Sequence, residues 1–346
     1  MLFNFNRSFL KLKRFINLND DRFLLVLSIL VGIIAGFCVV HPGKITIGIP
    51  AMLFFFALLL YIAPMFTNVD EEKKLFLNLA ISSFLIRTAV AFVLVSVSMI
   101  VFRDPVGGHS FANDAYRYLN SSNRIIEFFE QGGSLAFLIR SKADWMSVTQ
   151  ISNSFPWVAT FISVVFGAYR TLIAGSIYSA FMASLTVLMI YKMAKELLPD
   201  DKKTMAVDAA ILAMFFPSFI MFTSVMLKEA TVIFFSYSLL YVFYRYCLVK
   251  KPYLLVLLVV GLGLLASLRV YAAAIVVFAM GVGYFSYIVR KQGPKDIVKS
   301  VILLAVVTVL IFTVGRGLFK IYFLVSVLYF ENIQDLIETH YVSAST

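Results

Sequence analysis

Charge is what this chain has least of. Only 14% of its 346 residues are Asp, Glu, Lys or Arg, against about 25% in a soluble globular domain. With 61% hydrophobic residues beside so little charge, the sequence excludes a soluble globular domain. Short alternating segments are missing as well, which excludes a membrane β-barrel. There are two cysteines, Cys38 and Cys247. Both lie inside apolar blocks that the topology below puts near opposite membrane faces, so no disulfide is expected. Three histidines, His41, His109 and His340, are too few and too scattered for a histidine-rich metal centre. No metal and no other cofactor is expected. The sequence has no P-loop, no His-Glu-x-x-His and no Gly-x-Ser-x-Gly. Gly261-x-Gly263-x-x-Ala266 has the spacing of a dinucleotide fingerprint. It lies within an apolar run with no preceding strand, so it does not meet the strand–turn–helix requirement.

What the sequence has in abundance is long apolar blocks, each separated from the next by a short polar turn. Such blocks cross the bilayer as helices. The fold class is therefore all-α, a polytopic helical membrane protein with about 9–10 transmembrane helices. Spans are predicted over 23–40, 45–66, 79–102, 171–193, 206–222 with a kink at Pro217, 230–249, 253–268, 272–289 and 300–314. Residues 316–330 form a further short or interfacial helix. The first block ends Gly36-Phe37-Cys38, without a small-x-small cleavage site, and is expected to remain as an anchor.

The net charge is +11. In a soluble protein this would raise nucleic acid as a partner; here the basic residues sit between apolar blocks, so no nucleic acid is expected. Eighteen of the 30 Lys and Arg fall in the segments this topology places inside, beginning with the basic stretch 1–22. The short external turns carry one each, at Lys44, Lys228 and Arg269. The bias sets the N-terminus in the cytoplasm. The chain then divides into a cytoplasmic basic segment (1–22), two additional N-terminal spans (23–78), a transmembrane core (79–314) and a C-terminal interfacial segment and tail (315–346). The core includes a long first extracytoplasmic loop (103–170), which carries juxtamembrane helices. Within it 155–166 is apolar but too short to span, and is read as interfacial or re-entrant. Arg87, within about two turns of the inner end of its predicted span, is expected to snorkel.

Several side chains on the external face can carry chemistry. Asp114 follows the Gly107-Gly108 turn and opens a helix-like run, with Tyr118 one turn on, on the same face. A carboxylate at a water–membrane boundary can act as a general base. Asp104, Glu127, Glu130 and Asp144 are the loop's other acids, and a solvated loop acid is the plain alternative for each. Lys228-Glu229 follows the Pro217 span at its external end, where the pair is either functional or simply interfacial. Arg269 lies between two apolar blocks. Its guanidinium either binds a phosphate in a fork geometry or snorkels from a helix end. Asn120-Ser121-Ser122 matches a glycosylation sequon by pattern.

Taken in order, these features resemble the C-type glycosyltransferase superfamily, in particular its protein-mannosyltransferase-like and aminoarabinose-transferase-like bacterial members. The resemblance runs from about Leu79 to Val289. It rests on Asp114-x-x-x-Tyr118 after a span, on Phe166-Gly167 closing an apolar segment, and on the span containing Leu185-Thr186-Val187-Leu188-Met189-Ile190-Tyr191. A span with a central Pro217 follows, then Glu229 at its external end and Arg269 as the next external arginine. Many relatives have Asp-Glu where this chain has Asp114-Ala115.

The resemblance implies transfer of a sugar from a polyprenyl-phosphate-linked donor to an extracytoplasmic acceptor of the cell envelope, in the plasma (inner) membrane. The loop aspartate of the family is catalytic, which carries over to Asp114 as the base. Lys228 and Arg269 would hold the lipid phosphate, His109, Tyr118 and Tyr271 would line the sugar pocket, and Glu229 completes the substrate-binding set. Two other functions fit a chain of many spans with a large external loop. One is an O-antigen or capsule repeat-unit polymerase. The other is a non-enzymatic lipid-linked-sugar flippase or transporter.

Overall fold

The computed structural model describes residues 48–103, 113–140, 142–151, 153–166, 172–199 and 204–291. The expectations for 1–22, the span 23–40, the turn at His41, Cys38, Gly107-Gly108, His109, Gly167 and everything beyond 291 lie outside those residues. The described residues fall in two compact units that divide between Ala273 and Ala274. Among them every regular element is a helix, as a chain that must satisfy its backbone within lipid requires.

The first unit opens with α1 (Gly48–Ile62), followed by a short 3-10 turn over Ala63–Phe66. Pro64 stands at the start of that turn, where its missing N–H costs nothing. α2 (Asp70–Val101) runs for 32 residues. Asp70 and Glu72 in its first turn suit the positive end of the helix dipole. α7 (Ile173–Leu197) is buried along most of its length. Ala174, Gly175, Ser176, Ser179, Ala180, Ala183 and Ser184 are among its buried residues. Such small side chains let other backbones come close, which is how helices associate in lipid. Around α7 pack α1, α2, α8 (Thr204–Phe215), α9 (Pro217–Thr223) and α10 (Lys228–Val249). α11 (Pro252–Leu268) lies against α10. The next helix, α12 (Val270–Lys291), runs on into the second unit.

Four described helices are long and apolar enough to cross a membrane, and α8 with α9 makes a fifth if the bent pair is one span. This is the architecture of a polytopic helical membrane protein. α6 (Phe155–Phe166) and α11 are shorter apolar helices. The kink expected at Pro217 is a full break of 58° between α8 and α9. Phe216, the residue before the proline, is extended (φ −65°, ψ 116°), the conformation a following proline favours.

Arg87 corrects the sequence reading. α2 begins at Asp70, well before the predicted start near 79. Arg87 therefore sits mid-helix, with no water in reach of a snorkelling side chain. It is fully buried. Its Nε donates to Thr223 Oγ1 (3.0 Å), Nη1 to Ser83 Oγ (2.7 Å) and Nη2 to the Ala213 carbonyl (3.4 Å). The guanidinium lies 4.8 Å from the Phe219 ring centroid.

The predicted external loop is a layer of helices: α3 (Asn113–Glu130), α4 (Leu135–Arg140), α5 (Lys142–Thr149) and α6. α3 is amphipathic. Ala115, Tyr118, Leu119, Ser122 and Ile125 recur at helical spacing on its buried face. That face meets α6, where Ser122 Oγ donates to Ser163 Oγ (3.2 Å). Within the sequon Asn120 is exposed, whereas Ser121 and Ser122 are buried. Trp145 of α5 stacks on Trp157 of α6 with centroids 5.3 Å apart. The layer is tied to the end of α11 by Ser154 N–H donating to the Ser267 carbonyl (3.1 Å), with the two hydroxyls 2.8 Å apart.

Candidate functional site

Local helix formation delivers the first pair. Asn113 and Asp114 open α3, and Asp114 in the first turn is stabilised by the helix dipole. Its carboxylate is about half exposed and lies 3.9 Å from Arg117, one turn on. Tyr118 is buried, edge-on to Phe155 of α6 at 4.7 Å. Asp114 thus stays open to solvent while Tyr118 packs beneath it.

The second pair arrives through the broken span. After α9 the chain runs Ser224-Val225-Met226-Leu227 and enters α10 at Lys228. Leu227 is extended and, among the described residues, no side chain caps the helix. The first N–H groups of α10 are thus left to water or a ligand. The Lys228 ammonium sits over the Tyr118 ring, 5.7 Å from its centroid. Asp114, Arg117, Glu229 and Arg269 are all within electrostatic reach of it. Among the described residues, no carboxylate is in ion-pair contact with Lys228.

Arg269 supplies the third part. It is the extended residue (φ −152°, ψ 106°) at which α11 ends and α12 begins. Its guanidinium pairs with Glu229 Oε1 and hydrogen-bonds the Tyr271 hydroxyl. It also lies 5.1 Å from the Tyr271 ring centroid. The side chain is held by a carboxylate contributed from another helix. Glu229 Oε2 is buried and, among the described residues, has no hydrogen-bond partner.

Burial pushes the Tyr118 phenol well above its ordinary pKa, and the negative charges of Glu229 and Asp114 add to the shift. Asn153 and Arg269 act in the opposite direction. Tyr118 therefore remains a neutral phenol, able to donate a hydrogen bond but not to serve as a base at neutral pH.

The structure therefore brings Asp114, Tyr118, Lys228, Glu229, Arg269 and Tyr271 to one end of the first unit, from three separated stretches of sequence. His109 lies outside the described residues. Glu127 and Glu130 are exposed further along α3, away from its first turn. Two residues that sequence reasoning missed belong to the surroundings. Arg117 pairs with Asp114. Asn153 accepts a hydrogen bond from the Phe155 N–H (3.0 Å) at the start of α6 and acts on Tyr118. The i,i+3 spacing of Asp114 and Arg117 was visible in the sequence. Nothing local marked Asn153. Among the described residues, no cluster of His, Cys, Asp and Glu is arranged to hold a metal ion.

Residues 154–316 match the family model of dolichyl-phosphate-mannose-protein mannosyltransferases. This stretch includes Lys228, Glu229, Arg269 and Tyr271, and begins beyond Asp114 and Tyr118. No curated protein and no solved structure matches the chain. Over that stretch, somewhat under half of its length, the chain is similar to a family of membrane glycosyltransferases.

Proposed function

We propose that this chain is a C-type membrane glycosyltransferase that moves a sugar from a polyprenyl-monophosphate donor to an extracytoplasmic acceptor, with Asp114 as the general base. The observation that carries the reading is the pairing of an open carboxylate with an unneutralised ammonium across Tyr118. Inverting transfer needs a base for the acceptor hydroxyl and a cation for the departing phosphate. Asp114 accepts the acceptor's proton. The acceptor oxygen bonds to the anomeric carbon as the bond from that carbon to the lipid phosphate breaks. The phosphate leaves as an anion beside Lys228 and the uncapped N-terminus of α10, where free N–H groups favour negative charge.

Arg269 has a different role from the one its sequence position suggests. Held by Glu229, it contributes little net charge to a ligand. It orders Glu229 and Tyr271 around the sugar instead. Tyr118, kept protonated by burial, donates a hydrogen bond to a sugar or phosphate oxygen.

A second reading, a lipid-linked-sugar flippase, draws on the broken span α8–α9, since broken helices also occur in transporters. One experiment separates the two. Purified protein in detergent is given a panel of polyprenyl-monophosphate sugars, and release of free polyprenyl phosphate is followed. Transfer predicts donor consumption that Asp114→Asn abolishes. A flippase in vesicles moves the lipid without consuming it. The orientation is tested in cells: cysteines placed at Ser134 and Lys228 should label from outside, and one at Lys202 only after permeabilisation. Labelling of the first two from the cytoplasm alone would overturn the external site.

A further inference from the structure

We infer that Arg87 is a positioning residue for Lys228, acting through the proline break that precedes it. Pro217 has no N–H, so the carbonyl four residues back, on Ala213, loses its helical partner. Arg87 Nη2 donates to that oxygen (3.4 Å). Its Nε donates to Thr223 Oγ1 (3.0 Å), at the last residue of α9. One guanidinium on α2 therefore holds both arms of the broken span, one on each side of the 58° bend. Ser83 Oγ, one turn back on α2, accepts from Nη1 (2.7 Å) and fixes the fork in place.

Every acceptor of Arg87 is neutral, and among the described residues no carboxylate touches it. A guanidinium buried without a counter-charge is costly in a membrane. Satisfying several acceptors at once offsets that cost, and only a planar fork reaches them all.

The geometry continues without slack to the site. Thr223, Ser224, Val225, Met226 and Leu227 are all buried. Met226 fills the notch over Gly175 of α7, where an added Cβ would lie 2.3 Å from its sulfur. Ser179 Oγ donates to the Leu227 carbonyl (3.5 Å). Lys228 follows directly. The connector is thus fixed at its start by Arg87 and along its length by α7, and its far end sets where the ammonium stands. The consequence for ligand binding rests on the reading of Lys228 as the phosphate cation.

The test has two readouts on the full chain. The first is the labelling rate of Lys228→Cys by a water-soluble thiol reagent, in a background with Cys38→Ser and Cys247→Ser. Thr223→Val, which removes one Arg87 partner with little change of shape, should change that rate severalfold. So should Gly175→Ala, which displaces Met226. Arg87→Gln should do the most, and Arg87→Lys should recover only part. The second readout is the Kd of farnesyl monophosphate for purified protein in detergent. Lys228→Gln should raise it about tenfold. Thr223→Val should raise Kd in the parent but add little once Lys228 is Gln. Thr223→Val serves the cycle if Arg87→Gln does not fold. Unchanged labelling together with additive effects on Kd would overturn the inference and leave the phosphate reading standing. Changed labelling with a Kd indifferent to Lys228→Gln would retain the positioning role and sink the phosphate reading.

Discussion

α10 carries charge at both ends, and the two ends treat it differently. At the Arg245 end, each carboxylate is surrounded by donors. Glu196 accepts from Tyr241 (2.9 Å) and lies 3.7 Å from Arg245, and its carbonyl takes the Tyr244 hydroxyl (3.3 Å). Glu72 pairs with Lys195. A cavity of about 770 Å³ opens here, but its acids and most of its cations are already matched. At the Lys228 end, among the described residues, the ammonium rests on an aromatic face without a carboxylate partner, and Glu229 keeps a buried oxygen unpaired. Charge matched within the fold anchors a helix. Charge left unmatched beside an open carboxylate is available to a ligand. This cavity is thus the less promising site, because chemistry requires groups whose interactions are not already complete.

The largest effect should come from Asp114→Asn, which keeps the shape and removes the base. Turnover should fall about 10²–10⁴-fold, measured as the initial rate of donor consumption, with helix content unchanged. Glu127→Gln, on the exposed side of the same helix, should leave the rate near that of the parent. Equal losses in the two would show that the wrong acid has been chosen.

Breaking the Glu229–Arg269 pair comes next. Arg269→Ala strands a partly buried carboxylate, and should cost about 1–3 kcal/mol of stability, read as thermal unfolding in detergent. The double variant Arg269→Ala/Glu229→Ala should recover part of that loss, because the stranded charge is gone. A double variant worse than the single would mean that Glu229 has a partner of its own, outside the pair.

Features carried by local periodicity were legible in the sequence. Asp114 and Tyr118 share a face because they are one helical turn apart, and α6 was bounded by its apolar run. Pro217 announced a break because its missing N–H acts wherever it stands. Arg87 was misread for the opposite reason. Two of its acceptors, on Ala213 and Thr223, lie on helices more than a hundred residues away, and the carbonyl freed by Pro217 is invisible until those helices pack against α2. The pairing of Arg269 was hidden in the same way, since only the fold brings it to Glu229, 40 residues earlier. What neutralises a buried charge is a tertiary property.

Lys228→Gln sharpens the comparison at smaller scale. Loss of one charge-assisted contact to a lipid phosphate should cost about 1.5 kcal/mol, or roughly tenfold in Kd for farnesyl monophosphate. Donor turnover at saturation should fall as well as donor KM rise, because the charge on the phosphate grows as it leaves.

The smallest effect belongs to the other end of α10. Glu196→Gln removes the charge facing Arg245, but the amide oxygen can still accept from Tyr241. Arg245 is 44% exposed and Glu196 26%, so water screens the pair. Exposed pairs of this kind contribute about 0–1 kcal/mol. Glu196→Gln should therefore lower stability by no more than about 1 kcal/mol and leave the Kd for farnesyl monophosphate unchanged. The measurement is a direct check on the contrast between the two ends. A Glu196 variant that weakened lipid phosphate binding as much as Lys228→Gln would mean that the matched charges at the Arg245 end also reach the ligand, and that neutralisation within the fold does not separate anchor from site.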